Sequence, residues 1–256
     1  MANTQVNLLA GVNPVTRIFA MAVFATPLLL SVDWVSAAVA LVIVAVFAPL
    51  VGAADLLRRG WFLFVLAALS GVSMLLYGDP GGEIYFSWWA ITISENSVEL
   101  AIAITLRVLA VALPMIVLAR DMEATEIGDA LCQILRLPPR FVLGAVAAVR
   151  MFAMLQDDWE TLSLARRARG LADEGRIKRL ATMAFALLVL ALRLGGKLAT
   201  AMEARGFARV GTRQRTWARS STLVRKDYLV MVVVVGLAAV PVVVSVVTDS
   251  WRFFGL

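Results

Sequence analysis

The chain has 256 residues, 61% of them hydrophobic and 16% charged, with a formal net charge of +6 and no histidine. Soluble domains carry roughly 45–50% apolar and about 25% charged residues, so this composition excludes an ordinary soluble fold and implies a membrane protein. The absence of histidine excludes His-ligated metal sites and His-based triads within the chain, and the lone Cys132 excludes an intrachain disulfide.

In chain order, residues 1–17 are polar and close in Asn13-Pro14-Val15-Thr16-Arg17, where Pro14 is placed to open the first helix. No Lys or Arg precedes Arg17, so the start does not read as a cleaved signal peptide. Residues 18–32 and 34–54 are free of charge, with Asp33 at the turn between them. A helix needs about 20 residues to cross roughly 30 Å of hydrocarbon, so both are expected to cross, the first as a short span lengthened by its flanks. Asp55-Leu56-Leu57-Arg58-Arg59-Gly60 predicts a short basic loop, and residues 61–77 a third crossing with Trp61 and Tyr77 as aromatic anchors. Residues 78–97 hold Asp79, Glu83 and Glu95, no Lys or Arg, and the aromatics Tyr85, Phe86, Trp88 and Trp89, which predicts an interfacial segment on the outer face. Residues 99–119 form a fourth crossing, interrupted by Arg107 and Pro114. An intramembrane Arg costs at least about 2.5 kcal/mol at the bilayer centre, so Arg107 must face protein or snorkel. It either meets a partner subunit or gate, or pairs within the chain with one of the few acids near the membrane.

Composition changes at residue 120. Residues 120–226 carry 19 of the 24 Lys and Arg residues and 10 of the 18 acids, a net of +9, while the rest of the chain sums to −3. Positive-inside bias places this block in the cytoplasm, and parity agrees: N-terminus inside, four crossings, the block, then residues 228–248 as a fifth crossing. The basic pI near 10.2 is thereby explained by topology, and a nucleic-acid partner is not expected.

Within the block, a short helix is suggested by Thr125-Glu126-Ile127-Gly128-Asp129-Ala130-Leu131, stopping at Leu137-Pro138. A long helix follows Pro138-Pro139, with Met151, Leu155, Trp159 and Leu162 on one face and Asp157 and Glu160 turned away. In a second long helix, Leu180, Leu187, Leu194 and Leu198 form an apolar face opposite Arg193, Lys197 and Thr200. The uncharged run at 180–192 is 13 residues, about 20 Å as a helix, short of the bilayer core. If it and residues 141–155 both crossed, Arg166, Arg167, Arg169, Arg176, Lys178 and Arg179 would lie outside, against the positive-inside rule. These helices are therefore expected under the membrane or leaning into it.

Both long helices end in the same tripeptide, Ala168-Arg169-Gly170 and Ala204-Arg205-Gly206, 36 positions apart. Gly at such a place adopts the left-handed conformation that stops a helix, and the preceding cation suits the negative end of the dipole. The guanidinium offers a planar fork to carboxylates or carbonyls, and small neighbours let another backbone approach. Two such ends would suit a partner that comes as a pair. No paired membrane carboxylates, metal-ligand cluster or nucleophile motif points to an intramembrane enzyme.

The paired tripeptides, the start at Asn13-Pro14-Val15-Thr16-Arg17, the helix near residues 125–138 and the segment Ala201-Met202-Glu203-Ala204-Arg205-Gly206-Phe207 together resemble the transmembrane T component (EcfT/CbiQ/BioN-like) of energy-coupling-factor (ECF) transporters, importers of the ABC class. The start departs from the commoner family form, with Asn13 where an acid is frequent and Arg17 where Lys is frequent. The resemblance implies an all-α integral membrane protein of about five transmembrane helices plus a cytoplasmic coupling domain of long amphipathic helices. The expected divisions are transmembrane helices 1–4 in 1–119, the coupling domain in 120–226, and the last transmembrane helix with the C-terminus in 227–256. It implies a multi-pass subunit of a prokaryotic cell membrane, with N-terminus and coupling domain cytoplasmic and no catalytic site or cofactor of its own, ATP and Mg being bound by partners. Two ABC-type ATPase subunits would dock, one on Ala168, Arg169 and Gly170, the other on Ala204, Arg205 and Gly206. A small integral-membrane S component would capture a vitamin or transition-metal ion, with Leu155, Trp159, Leu187 and Leu194 supporting either that component or the core of the platform. The alternative is a pore-forming permease of a conventional ABC importer, which would present its ATPases with a single Glu-Ala-Ala-type loop.

Overall fold

Asn13 and Pro14 start the first helix as the sequence suggests. In the computed structural model, which describes residues 11–31, 33–51, 53–78, 81–88, 91–170, 175–207 and 216–249, the Asn13 side chain accepts the Val15 N–H at 3.0 Å and Pro14 occupies the first turn. The helices are α1 Pro14–Leu30, α2 Trp34–Val51, α3 Ala53–Tyr77, α4 Glu95–Ala119, α5 Ala124–Gln133, α6 Pro139–Ala168, α7 Arg176–Ala204 and α8 Arg225–Val247. Among the described residues there is one antiparallel strand pair, β1 Ile84–Trp88 with β2 Ile91–Ser94, which pairs Trp88 with Ile91 and Ile84 with Ser94, with a bulge between Ile84 and Phe86. The chain is thus an all-α membrane protein with one small sheet.

Three expectations change. Residues 55–60 are not a loop but part of the opening turns of α3, so Arg58 and Arg59 lie on a helix. The acidic, aromatic stretch is a hairpin running into α4, which starts at Glu95 with Ser94 as N-cap; Asp79 and Trp89 fall outside the described residues. α5 stops at Gln133, ahead of Leu137-Pro138, and Arg136 follows with φ of +53°.

By length and composition, Gly60–Tyr77, α4, α6 and α8 are long and apolar enough to cross a membrane, while α1 and Trp34–Phe47 are shorter apolar helices. The inclusion of α6 was not expected. At 30 residues it reaches about 45 Å, and α7 at 29 residues is nearly as long. Length and composition therefore do not keep α6 out of the bilayer, whereas α7, equally long, is not among the helices apolar enough to cross it.

The chain separates into two compact units, Met1–Met122 with Leu223–Leu256, and Glu123–Thr222. The first is built on α1, α2, α4 and α8, which meet at Phe24, Leu28, Ala40, Ala110 and Ala238. Alanines at the crossings let the helices approach closely, the usual way of packing where lipid gives no hydrophobic drive. α3 lies along α4, and a Cβ at Gly71 would run into Thr105 Oγ1, so glycine is what permits that approach.

Two buried carboxylates tie this unit together at opposite ends of α1 and α8. At the N-terminal ends, Asp227 is 1% exposed. Its carboxylate accepts the Asn13 N–H at 2.8 Å, the Thr16 hydroxyl at 3.2 Å and the Val224 N–H at 2.7 Å. Nearby, Arg17 donates to the Arg120 carbonyl at 2.8 Å, adding the end of α4. At the C-terminal ends, Asp33 caps α2 by accepting the Ser36 N–H at 2.7 Å, and it also takes the hydroxyls of Ser36 at 2.7 Å and Ser245 at 2.6 Å. Arg107 donates to the Ser31 carbonyl, with Asp33 as its opposite charge. The arginine that interrupts the fourth crossing thus finds a hydrogen-bond acceptor within the chain.

In the second unit, α5 packs on α6 and α6 on α7. Only Val142 on α6 and Met183 on α7 are fully buried.

Candidate docking site at the ends of the coupling helices

Each long helix stops by the same device. At the end of α7, Gly206 has φ of +76°, its N–H bonds the Glu203 carbonyl at 2.9 Å, and the Phe207 N–H reaches back to the Met202 carbonyl at 2.9 Å. That pair of bonds is a Schellman motif, which satisfies carbonyls the helix would otherwise leave open. At the end of α6, Gly170 has φ of +71° and its N–H bonds the Arg167 carbonyl at 3.0 Å. A side chain there would meet nothing among the described residues, so the positive φ is what asks for glycine.

Arg169 and Arg205 are the C-cap residues, with nearly identical backbone angles, φ −87° and ψ 6° against φ −81° and ψ 5°. Both side chains are exposed, as are Ala168, Gly170 and Ala204, and Gly206 is half-buried. Among the described residues neither guanidinium has a hydrogen-bond or ion-pair partner. Each sits at the negative end of a helix dipole, a favourable place for a cation and one that leaves its planar fork available.

The four apolar residues expected to pack, Leu155 and Trp159 on α6 and Leu187 and Leu194 on α7, are all half-buried. Met151 and Leu162 join the first pair on the same face of α6. On α7 the packing face runs through Met183, Leu187, Leu190 and Leu194, whereas Leu180 and Leu198, expected on it, are exposed. A second apolar row on α7, Ile177, Phe185, Leu188 and Leu192, is exposed, Ile177 at 85%. Sequence reading missed this row because it took α7 to have one apolar face; the spacing Ile177, Ala181, Phe185, Leu188, Leu192 was the available signal. It also missed Asp227, whose position in the first turn of α8 marks it as a capping acid.

No cluster of His, Cys, Asp and Glu among the described residues could hold a metal ion.

Comparison with known proteins follows the same line. The family model described as CbiQ, cobalt transport protein, matches residues 5–217. The chain is 26% identical over 205 residues to the energy-coupling factor transporter transmembrane protein EcfT of Limosilactobacillus fermentum, covering 72% of this chain and 76% of that protein. It is 28% identical over 219 residues to the protein of the same name from Brevibacillus brevis, covering 78% and 79%. To that of Lactobacillus helveticus it is 30% identical over 174 residues, 62% of each chain.

Proposed function

The chain belongs to the CbiQ family of transmembrane components of ECF transporters, and from that premise we propose that it passes ATP-driven movement of two ATPase subunits to a substrate-capturing S component. One ATPase docks on Ala168-Arg169-Gly170 and the other on Ala204-Arg205-Gly206. ATP and Mg are bound and consumed on those subunits, and this chain performs no catalysis. The observation that carries the reading is the duplication: two helix ends with one cap geometry, each presenting an exposed arginine that has no partner among the described residues. A rigid helix end loses little entropy on docking, so such a point transmits force as well as binding.

Residues 120–226 are cytoplasmic in this reading. Six basic residues between positions 166 and 179 would otherwise be carried to the outer face. The S component covers the exposed row Ile177, Phe185, Leu188 and Leu192, an apolar surface a small membrane protein would bury. The cargo is a vitamin or a transition-metal ion, selected by the S component. A conventional permease would offer one docking loop per chain, and the matched pair of ends favours the first reading.

The test is copurification. The tagged chain, extracted in mild detergent from its host, brings down two ATPase subunits and a small integral membrane protein. Recovery of ATPases with a soluble or lipid-anchored binding protein, and no small membrane protein, contradicts the assignment.

A further inference from the structure

Gln133, the last residue of α5, engages one stretch of backbone with both ends of its side-chain amide. Nε2 donates to the Arg219 carbonyl at 2.9 Å, and Oε1 accepts the Ser221 N–H at 2.9 Å. An acceptor on one side and a donor on the other admit one orientation of the amide, so Gln fits here and Glu or Lys does not. Residues 216–224 form neither helix nor strand, and the amide takes the place of a neighbouring strand for the backbone it holds.

The Arg219 side chain turns back to Glu126 at 3.6 Å and Glu123 at 3.9 Å. All three side chains are well exposed, so these pairs add little stability. Their place in the chain is more informative. The coupling unit runs from Glu123 to Thr222, so the backbone passes between the two units twice, before Glu123 and after Thr222. Glu123 is the first residue of the unit and Ser221 the last but one. Both passages are therefore tied to α5, the incoming one covalently and through Arg219, the outgoing one by the amide of Gln133. Beyond Ser221 the chain runs directly into α8, whose start is fixed by Asp227.

We propose that Gln133 is a positioning residue for energy coupling: by strapping residues 219–221 to α5 it removes slack from the outgoing passage, so that displacement of the coupling helices reaches α8. An irregular segment left unstrapped would absorb that displacement in its own backbone freedom. The proposal rests on the coupling role given above.

The test uses the chain purified with its ATPases, carrying Cys132→Ser and an environment-sensitive fluorophore on either Arg225→Cys, at the start of α8, or Glu203→Cys, beside the second docking end; both native residues are exposed. ATP with Mg is expected to change the signal at both positions. Gln133→Ala is expected to reduce the response at 225 about fivefold or more while leaving that at 203 unchanged, and the near-isosteric Gln133→Glu, which keeps an oxygen but lacks the donor, to shift it the same way to a smaller extent. Gln133→Glu keeps the test open where the alanine variant fails to fold. Equal loss at both positions, or no change at 225, overturns the proposal. So does a wild-type chain that responds at 203 and not at 225. A wild-type chain that binds no ATPase overturns instead the coupling role itself.

Discussion

The two units treat polar side chains in opposite ways. Every buried polar or charged side chain among the described residues, from Thr16 and Arg17 to Asp227 and Ser245, lies in the membrane unit. There Asp33 and Asp227 join the two ends of α1 and α8 through hydrogen bonds, several between residues more than 200 positions apart. In the coupling unit the described cations are exposed or half-buried, and two helices of 30 and 29 residues bury one side chain each. A unit stabilised by internal polar ties is suited to remain fixed in lipid, where an unsatisfied polar group has no water to turn to. A unit with exposed ends and uncovered apolar rows is suited to meet partners. The contrast locates fixity in one and adaptability in the other.

Substitutions sharpen or break that contrast. The largest effect on stability is expected from Asp227→Ala, which leaves two backbone donors and a hydroxyl without their acceptor and should cost about 3–5 kcal/mol, read as a lowered Tm of the detergent-solubilised chain. Asp33→Asn keeps an acceptor oxygen but removes the charge facing Arg107, and is expected to cost about 1–3 kcal/mol by the same measurement. Gly170→Ala forces a side chain into the left-handed region at a cost of about 1–2 kcal/mol, felt locally as faster hydrogen exchange in the last turn of α6. Phe185→Ala removes an exposed ring, so the isolated chain should change by no more than about 0.5 kcal/mol while retention of the small membrane partner falls. If Phe185→Ala destabilised the chain as much as Asp33→Asn, the division between the units would be wrong.

Helix positions were legible because their signals are local. Asn13-Pro14 opens α1, Pro139 opens α6, and Gly170 and Gly206 close α6 and α7, each through residues a few positions apart. What could not be read was held by distance: the meeting of Asp227 with Asn13 spans 214 positions, and that of Gln133 with Ser221 spans 88. Arg107 was recognised as needing a partner, but that the Ser31 carbonyl, 76 positions away, accepts from it could not be read from the sequence. The hairpin was missed although Ile84, Tyr85, Phe86, Trp88, Ile91, Thr92 and Ile93 have strong strand preference, because their aromatics were taken as interfacial anchors. Arg58 and Arg59 were taken for a loop on charge alone, whereas their backbone belongs to α3.

The central claim is that Arg169 and Arg205 are docking points with little part in holding the chain together, and the double variant Arg169→Glu with Arg205→Glu tests it most directly. Purified alongside the unaltered chain, it is expected to insert in the membrane with a Tm lowered only slightly, as anions meet the negative ends of two helix dipoles, and to lose its ATPase subunits, since a reversed charge at each docking site costs roughly 2–5 kcal/mol of association or more. Full ATPase recovery with the double variant, or a fall in Tm comparable to that of Asp227→Ala, would contradict the account.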